Sequence, residues 1–208
     1  MTRPGLLFVM SAPSGTGKSS LARRVLDRTE HLAFSVSHTT RPPRSDERDG
    51  REYHFIDEKQ FRAMVARDEF LEWAEVHGSL YGTSGGPARR ILESGRDLLL
   101  DIDVQGAAQV RRRLPEAVTI FILPPDFETL RQRLVARGMD PPAQLERRLA
   151  AARAEAGEFR RYDYVVVNHD LEQAAEEVRS VVISERRRTS RMEEAAQEIL
   201  ATFEEANT

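Results

Sequence analysis

The segment that most limits how this chain folds is Ala12-Pro13-Ser14-Gly15-Thr16-Gly17-Lys18-Ser19. It follows a continuously apolar run over residues 6–10 and precedes Leu21, Val25 and Leu26, which fall at helical spacing. A short apolar run ending in Ser, Pro and Gly reads as a strand buried on both faces, and the spaced residues after it as an amphipathic helix to about Thr29. A glycine-rich turn between such a strand and such a helix lets backbone N–H groups curl around phosphate oxygens. Lys18 then reaches the outer phosphates, and the Ser19 hydroxyl is placed to ligate magnesium. The pattern is that of a P-loop with Ala12 in place of the usual first glycine, and it predicts nucleoside triphosphate binding. A glycine-rich turn without a ligand has no need of lysine at position 18.

That lysine stands out against the composition. The 208 residues include 31 Lys+Arg, of which only Lys18 and Lys59 are lysine, leaving 29 arginines. A lineage that writes nearly every cation as Arg accounts for the ratio, not for the exceptions. A compact ammonium suits a tight loop that a bulkier guanidinium fork does not; Lys59 falls in a predicted surface helix with no site around it. With 34 Asp+Glu the formal net charge is -3, which argues against a surface built throughout for nucleic acid. The absence of Cys excludes a disulfide framework and thiolate metal sites. The length supports one compact domain, or one carrying a mobile insert. The apolar run at 6–10 is too short for a signal-peptide core or a membrane span, so the chain reads as cytoplasmic, with no membrane partner.

Further apolar runs resemble the first: 98–102, bracketed by Asp97 and Asp103; 118–123, stopped by Pro124-Pro125; and 164–167, ended by Asn168. Helical stretches separate them near 104–114, 127–137 and 143–160. Such alternation predicts an α/β fold with a parallel sheet covered on both faces. Residues 171–203 read as helix laying one stripe on the core. Two regions break the rhythm. Residues 37–86 are polar and rich in turn residues, with period-two spacing over 70–76 that suggests small half-exposed strands. Over 137–148, Arg-Gly-Met-Asp-Pro-Pro interrupts helical sequence and predicts a hinge or lid.

Asp101 closes the 98–102 run, where open parallel sheets place ligands, and an acid there can hold magnesium through water or fix a basic partner. Any strand may end in Asp, so the neighbouring P-loop is what gives it weight. In Thr39-Thr40-Arg41-Pro42-Pro43-Arg44 the two prolines favour polyproline II, which sets Arg41 and Arg44 on one side about 9 Å apart. That pair suits a phosphate monoester, although a solvated loop has the same spacing.

Taken together, these residues resemble the guanylate kinases, which phosphorylate GMP with ATP. The resemblance rests on residues 11–19, on Phe34-Ser35-Val36-Ser37-His38-Thr39-Thr40-Arg41, Gly50-Arg51-Glu52-Tyr53, Phe70-Leu71-Glu72-Trp73-Ala74, Tyr81-Gly82-Thr83, Asp101-Ile102-Asp103-Val104-Gln105-Gly106 and Val167-Asn168, in that order. Bacterial members also carry Ala at the first P-loop position. The resemblance implies a P-loop kinase three-layer fold: a parallel core sheet (1–36, 88–126 and 161–208), a small mixed GMP-binding region (37–87) and a helical lid (127–160). It implies ATP as co-substrate with Mg2+, and GMP or dGMP as acceptor. It places Ala12 to Ser19 and Asn168 at ATP, with Ser19 on the metal and Asp101 reaching it through water. Arg41, Arg44, Tyr53 and Tyr81 would hold the GMP phosphate, Ser37, Glu72, Thr83 and Asp103 would read guanine, and Asp101 lies beside them. Lys18, Arg41 and the lid arginines Arg137 and Arg148 would carry the transfer.

Guanine presents N1–H and an exocyclic amine beside O6, so carboxylates facing the donors and hydroxyls facing O6 are complementary. Adenine reverses the pattern and strands a buried carboxylate. By strand alternation Glu72 shares a face with Phe70 and Ala74, directed into a pocket. Two features depart from the family: His169, where an acid is common, and the breaker-rich Ser84-Gly85-Gly86-Pro87. The arginines at 186–188 with Arg191 read as a solvated helix face in preference to an RNA contact. Two other readings compete, a non-catalytic guanylate-kinase-like interaction module and a P-loop kinase acting on a ribose phosphate.

Overall fold

The computed structural model describes residues 3–45, 47–76, 78–136 and 142–205. In chain order the first half runs β1 (Leu7–Ser11), α1 (Lys18–Arg28), β2 (Leu32–Phe34), β3 (Ser37–Thr39), β4 (Tyr53–Phe55), α2 (Glu58–Ala66), β5 (Phe70–Val76), β6 (Ser79–Ser84) and α3 (Gly85–Glu93). The second half runs β7 (Asp97–Asp101), α4 (Val104–Arg113), β8 (Val118–Leu123), α5 (Phe127–Ala136), α6 (Pro142–Ala156), a 3-10 turn over Gly157–Arg161, β9 (Tyr164–Val167), α7 (Leu171–Arg186) and α8 (Thr189–Glu205). No helix among the described residues is long and apolar enough to cross a membrane.

The apolar runs pair as one five-stranded parallel sheet in the order β2-β7-β1-β8-β9. In β1, β7 and β8 the lack of alternation follows from burial on both faces, whereas edge strand β9 leaves Val165 exposed. On one face Phe8, Met10, Leu99 and Ile120 meet Leu21 and Val25 of α1 and Val178 and Val182 of α7. On the other, Val9, Leu98 and Leu100 meet Ala88 of α3 and Ala107 and Val110 of α4. Each fully buried aliphatic side chain contributes about 1.5 to 3 kcal/mol, so the helices are held by their apolar stripes more than by propensity. Strand β2, only Leu-Ala-Phe, was not foreseen; three residues are too few for a pattern, and its pairing beside β7 completes the edge.

Residues 37–84 form the expected small strands, a four-stranded mixed sheet in the order β4-β3-β6-β5. Strict alternation along β5 fails, because the register slips between Phe70 and Glu72. Phe70 turns toward α2, stacking on Phe61 at 4.5 Å and packing with Leu80. It therefore does not share Glu72's face. The breaker-rich 84–87 segment is the start of α3, with Ser84 as N-cap and Pro87 in the first turn, where its missing N–H has no partner to lose. Of the break expected over 137–148, positions 142–148 are helical, in α6, and residues 137–141 lie outside the described residues.

At the C-terminal end, α7 lays its stripe on the core as expected, but α8 exposes Ile199, Leu200 and Phe203. Of the 186–191 arginines, Arg187 and Arg188 are exposed as expected, and Arg186, Arg188 and Arg191 also fasten the fold. Arg186 donates to Asp97 at 2.6 Å and to the Glu30 carbonyl at 2.8 Å, Arg188 pairs with Glu185, and Arg191 donates to the Pro4 carbonyl at 2.7 Å. Asp97 is buried and also accepts the Leu6 N–H at 2.6 Å. Asp97→Ala strands both donors. Because Arg186 keeps some water, the expected loss in urea denaturation is about 2 to 3 kcal/mol, below that of a fully buried ion pair.

Candidate active site

The glycine-rich turn leaves the C-terminal end of β1 with Gly15 and Gly17 at φ of 94° and 93°, a region other residues enter only at a cost. Any side chain at Gly15 would also meet Leu134, whose Cγ lies 2.8 Å from the Cβ position. The loop is braced from behind. Thr16 donates to the Pro13 carbonyl at 2.7 Å, and the Thr16 carbonyl accepts from Asn168 Nδ2 at 2.8 Å and Arg133 Nη1 at 3.2 Å. From the α6 side, Arg148 Nη2 donates to the Ser14 hydroxyl at 2.9 Å, and Glu155 accepts the Ser14 N–H at 3.2 Å. Burial and then the nearby Asp103 charge push the Glu155 carboxyl up, against the Ser14 hydrogen bond.

Lys18 Nζ lies 2.6 Å from Asp101 Oδ1 and donates to the Ile102 carbonyl at 2.6 Å. Two residues on, Asp103 caps α4 by accepting the Gly106 N–H at 2.9 Å. The lysine thus sits between the phosphate loop and the end of β7, and α4 starts immediately beyond.

Two adjoining spaces open in front of it. A cavity of about 190 Å³ is lined by Lys18, Ser37, Tyr53, Glu72, Val76, Tyr81, Asp101, Ile102 and Asp103. Ser37, Tyr53, Tyr81 and Asp101 also border a cleft of about 610 Å³ with Ser19, Arg23, Arg41, Arg44 and Glu47. Arg41 reaches Glu47 through Nη2 at 2.8 and 2.9 Å and Tyr81 through Nε at 3.3 Å, with the Tyr53 ring centroid 5.5 Å from its guanidinium carbon. The Arg44 N–H donates to the same Glu47 at 2.8 Å. Burial works against a charged Glu47, but the Arg41 and Arg44 hydrogen bonds outweigh it and hold the carboxyl below its ordinary range. Burial, reinforced by the Asp101 charge, pushes the Tyr53 hydroxyl up to about 12, so it remains a neutral donor.

At the far end Thr83 donates to Glu72 Oε1 at 2.6 Å, and its hydroxyl lies 3.4 Å from that of Ser37. Glu72 Oε2 rests on the first turn of α4, 2.3 Å from where a Cβ on Gly106 would be. Burial pushes the Glu72 carboxyl up to about 7; the Thr83 hydrogen bond opposes the shift and the Asp103 charge adds to it.

A family model described as guanylate kinase matches residues 5–185. The guanylate kinase of Nitrosomonas europaea is 52% identical over 197 residues, covering 95% of this chain and 98% of its own. That of Dechloromonas aromatica is 53% identical over 178 residues, 86% of this chain and 88% of its own. The crystal structure of guanylate kinase from Anaplasma phagocytophilum matches with a TM-score of 0.77 at 34% identity, covering 91% of this chain and 90% of that one.

The chain belongs to the guanylate kinase family. Guanylate kinases are ATP:GMP phosphotransferases, nucleoside monophosphate kinases of purine nucleotide metabolism, and the parallel sheet with helices on both faces is their P-loop kinase fold. In this guanylate kinase fold the residues singled out in the sequence converge as described, with four differences of detail. Thr83 does not line the small cavity, and its hydroxyl meets Glu72 and Ser37 instead. Asn168 is buried behind the loop as its brace. Asp103 spends one oxygen on the α4 cap. Arg137 lies outside the described residues. Glu47, Arg133 and Glu155 were not singled out; each is one charged residue among many in loop or helix sequence, and only the folded chain sets it against Arg41, Thr16 or Ser14.

The raised Glu72 value makes a stability statement with a definite sign. Between about 4.5, the ordinary value, and about 7, the folded protein keeps a proton that the unfolded chain releases, so this group's contribution falls as pH rises through that window. Glu72→Gln is therefore expected to leave the melting temperature nearly unchanged at pH 5 and to raise it at pH 8, in parallel thermal melts.

Proposed function

We propose that the adjoining spaces are the two substrate sites of the phosphotransfer, with ATP phosphates on the loop and GMP across the cleft and the small cavity. The observation that carries this reading is the buried Glu72, hydrogen-bonded to Thr83, in one cavity with Lys18. A carboxylate so buried is costly unless a ligand supplies donors, and guanine N1–H and its amine are such donors. Ser37 contributes a hydroxyl at O6, Thr83 spends its own proton on Glu72 and so orients that carboxylate, and Asp103 adds a second carboxylate. Arg41, Arg44, Tyr53 and Tyr81 hold the GMP phosphate, Arg41 exchanging its Glu47 partner for it. The 37–87 region thus binds GMP or dGMP, the 127–160 segment is the lid, and the remainder is the core.

Both ligands are anionic, and transfer spreads further charge over the moving group, so positioning and cations do most of the work. A GMP phosphate oxygen forms the new bond to the γ-phosphorus as the bond to ADP breaks. No side chain has to remove a proton. Lys18 neutralises charge on the ATP phosphates, the backbone N–H groups of Gly15, Gly17, Lys18 and Ser19 donate to their oxygens, and Arg148 with Arg137 closes over the transferring group, excluding water that would hydrolyse ATP.

Magnesium fits the donors present. The Ser19 hydroxyl and the Asp101 carboxylate are hard oxygens bordering one cleft, and among the described residues no cluster of three acidic or histidine groups would hold a metal alone. That is the set expected when phosphates and waters complete the shell; bound there, Mg2+ neutralises phosphate charge. The setting is the cytoplasm, with no nucleic acid in the reaction.

A coupled assay with ATP, magnesium and GMP, dGMP, AMP, UMP or ribose phosphates separates the alternatives. An interaction module turns over none of them; a ribose-phosphate kinase prefers the sugar. Transfer to GMP and dGMP is expected, Lys18→Ala abolishing most turnover while GMP binding by calorimetry changes little. Glu72→Gln is expected to cut the preference for GMP over AMP by about 1 to 3 kcal/mol, roughly 5- to 150-fold.

A further inference from the structure

Helix α4 grips the edge of the second sheet along one face. Gln109 Nε2 donates to the Trp73 carbonyl at 2.6 Å, and Gln109 Oε1 accepts the Trp73 N–H at 3.2 Å. Strand β5 ends its sheet, so these backbone groups of Trp73 have no further strand to pair with; the side-chain amide supplies the donor and the acceptor that a strand would. One turn later, Arg113 donates to the Phe70 carbonyl at 2.7 Å and to Asp68 at 3.0 Å. One turn earlier, Gly106 leaves room for the Glu72 carboxylate. Positions 106, 109 and 113 lie on one helix face.

The residues they fix, Phe70, Glu72 and Trp73, flank the slip in register. At such a slip a strand bends and its side chains are re-aimed, so pairing with β6 alone leaves the direction of Glu72 under-determined. We propose that Gln109 is a positioning residue for guanine recognition: by standing in for a neighbouring strand at Trp73, it holds the adjacent Glu72 carboxylate at the base end of the cavity. Gln109 does not line that cavity; it acts through the backbone next to the residue that does. The inference rests on the reading of Glu72 as the carboxylate that faces guanine.

The test compares steady-state kinetics of the full-length protein, Gln109→Leu, Glu72→Gln and the double variant, with GMP and with inosine monophosphate, which lacks the exocyclic amine. Gln109→Leu keeps the bulk and removes both hydrogen bonds. Its expected signature is a KM for GMP raised about tenfold and a reduced preference for GMP over inosine monophosphate. The kcat at saturating GMP and the KM for ATP stay within about twofold. In the Glu72→Gln background the same change should add less than about twofold, the non-additivity of residues acting as one unit. Gln109→Asn, which keeps the amide but shortens its reach, should show the same split and serves if the leucine variant does not purify. A lowered melting temperature with KM and base preference unchanged overturns the inference and leaves Gln109 a structural residue. Full additivity with Glu72→Gln also overturns it. Glu72→Gln without effect on GMP removes the reading of Glu72 and this inference together, whereas a strong Glu72→Gln effect beside a silent Gln109→Leu removes only the inference.

Discussion

Lys18 is the point on which the rest of the structure turns. Its ammonium, 2.6 Å from both Asp101 Oδ1 and the Ile102 carbonyl, joins the phosphate loop to the end of β7. That contact requires β1 and β7 to be parallel neighbours, and the register, Met10 beside Asp101, provides it. Parallel neighbours in turn require long crossovers, and the whole second sheet, from β3 to β6, is inserted between β2 and β7. The insertion brings Ser37, Tyr53, Glu72 and Tyr81 back over the lysine. A compact ammonium places one point charge between Asp101, the Ile102 carbonyl and the cavity, which a broader guanidinium fork does not, and this is where the arginine habit of this chain breaks.

Cations gathered for anionic ligands repel one another in the free protein, and carboxylates are set between them. Glu47 takes the Arg41 guanidinium and the Arg44 N–H, and Glu52 accepts from Arg51 at 2.6 Å and Arg23 at 3.3 Å, linking α1 to the segment before β4. The overall charge of -3 therefore says little about the cleft. Its local balance is set pair by pair, and a phosphate entering beside Arg41 competes with a partner already in place.

The strands buried on both faces were legible because nothing but burial explains runs such as those at β1 and β8. The phosphate loop was legible because its glycines, lysine and serine have separate physical tasks. Illegible parts share one cause, that their meaning lies in a partner distant in sequence. Alternation counts residues and cannot see the slip after Phe70, which the Phe61 ring and Gly82 impose from the other side. Ser84 to Pro87 looks like a break, yet it starts a helix whose first turn tolerates proline. Asn168 reads as a strand ending, yet its amide spans 152 positions to hold Thr16. The 186–191 arginines are in part solvated as expected, Arg187 and Arg188 being exposed, but their pairing with Asp97, Glu185 and the Pro4 carbonyl was hidden in distant sequence.

Glu72 shows how the site constrains the fold in return. An ionised carboxylate there opposes folding, because burial pushes the carboxyl up to about 7, and the surroundings limit that cost. Thr83 supplies one hydrogen bond to it. Helix α4 offers the positive end of its dipole, and Gly106 lets the oxygen approach to a distance that an alanine methyl would occupy. Asp103 must stand at that same helix start to cap it, and its charge raises the cost again. Two carboxylates at one helix N-terminus make sense only if both are wanted there. The fold bears the repulsion in the free state, and on the proposed reading of the cavity a base that presents two donors would relieve it, making the destabilised pair a source of selectivity.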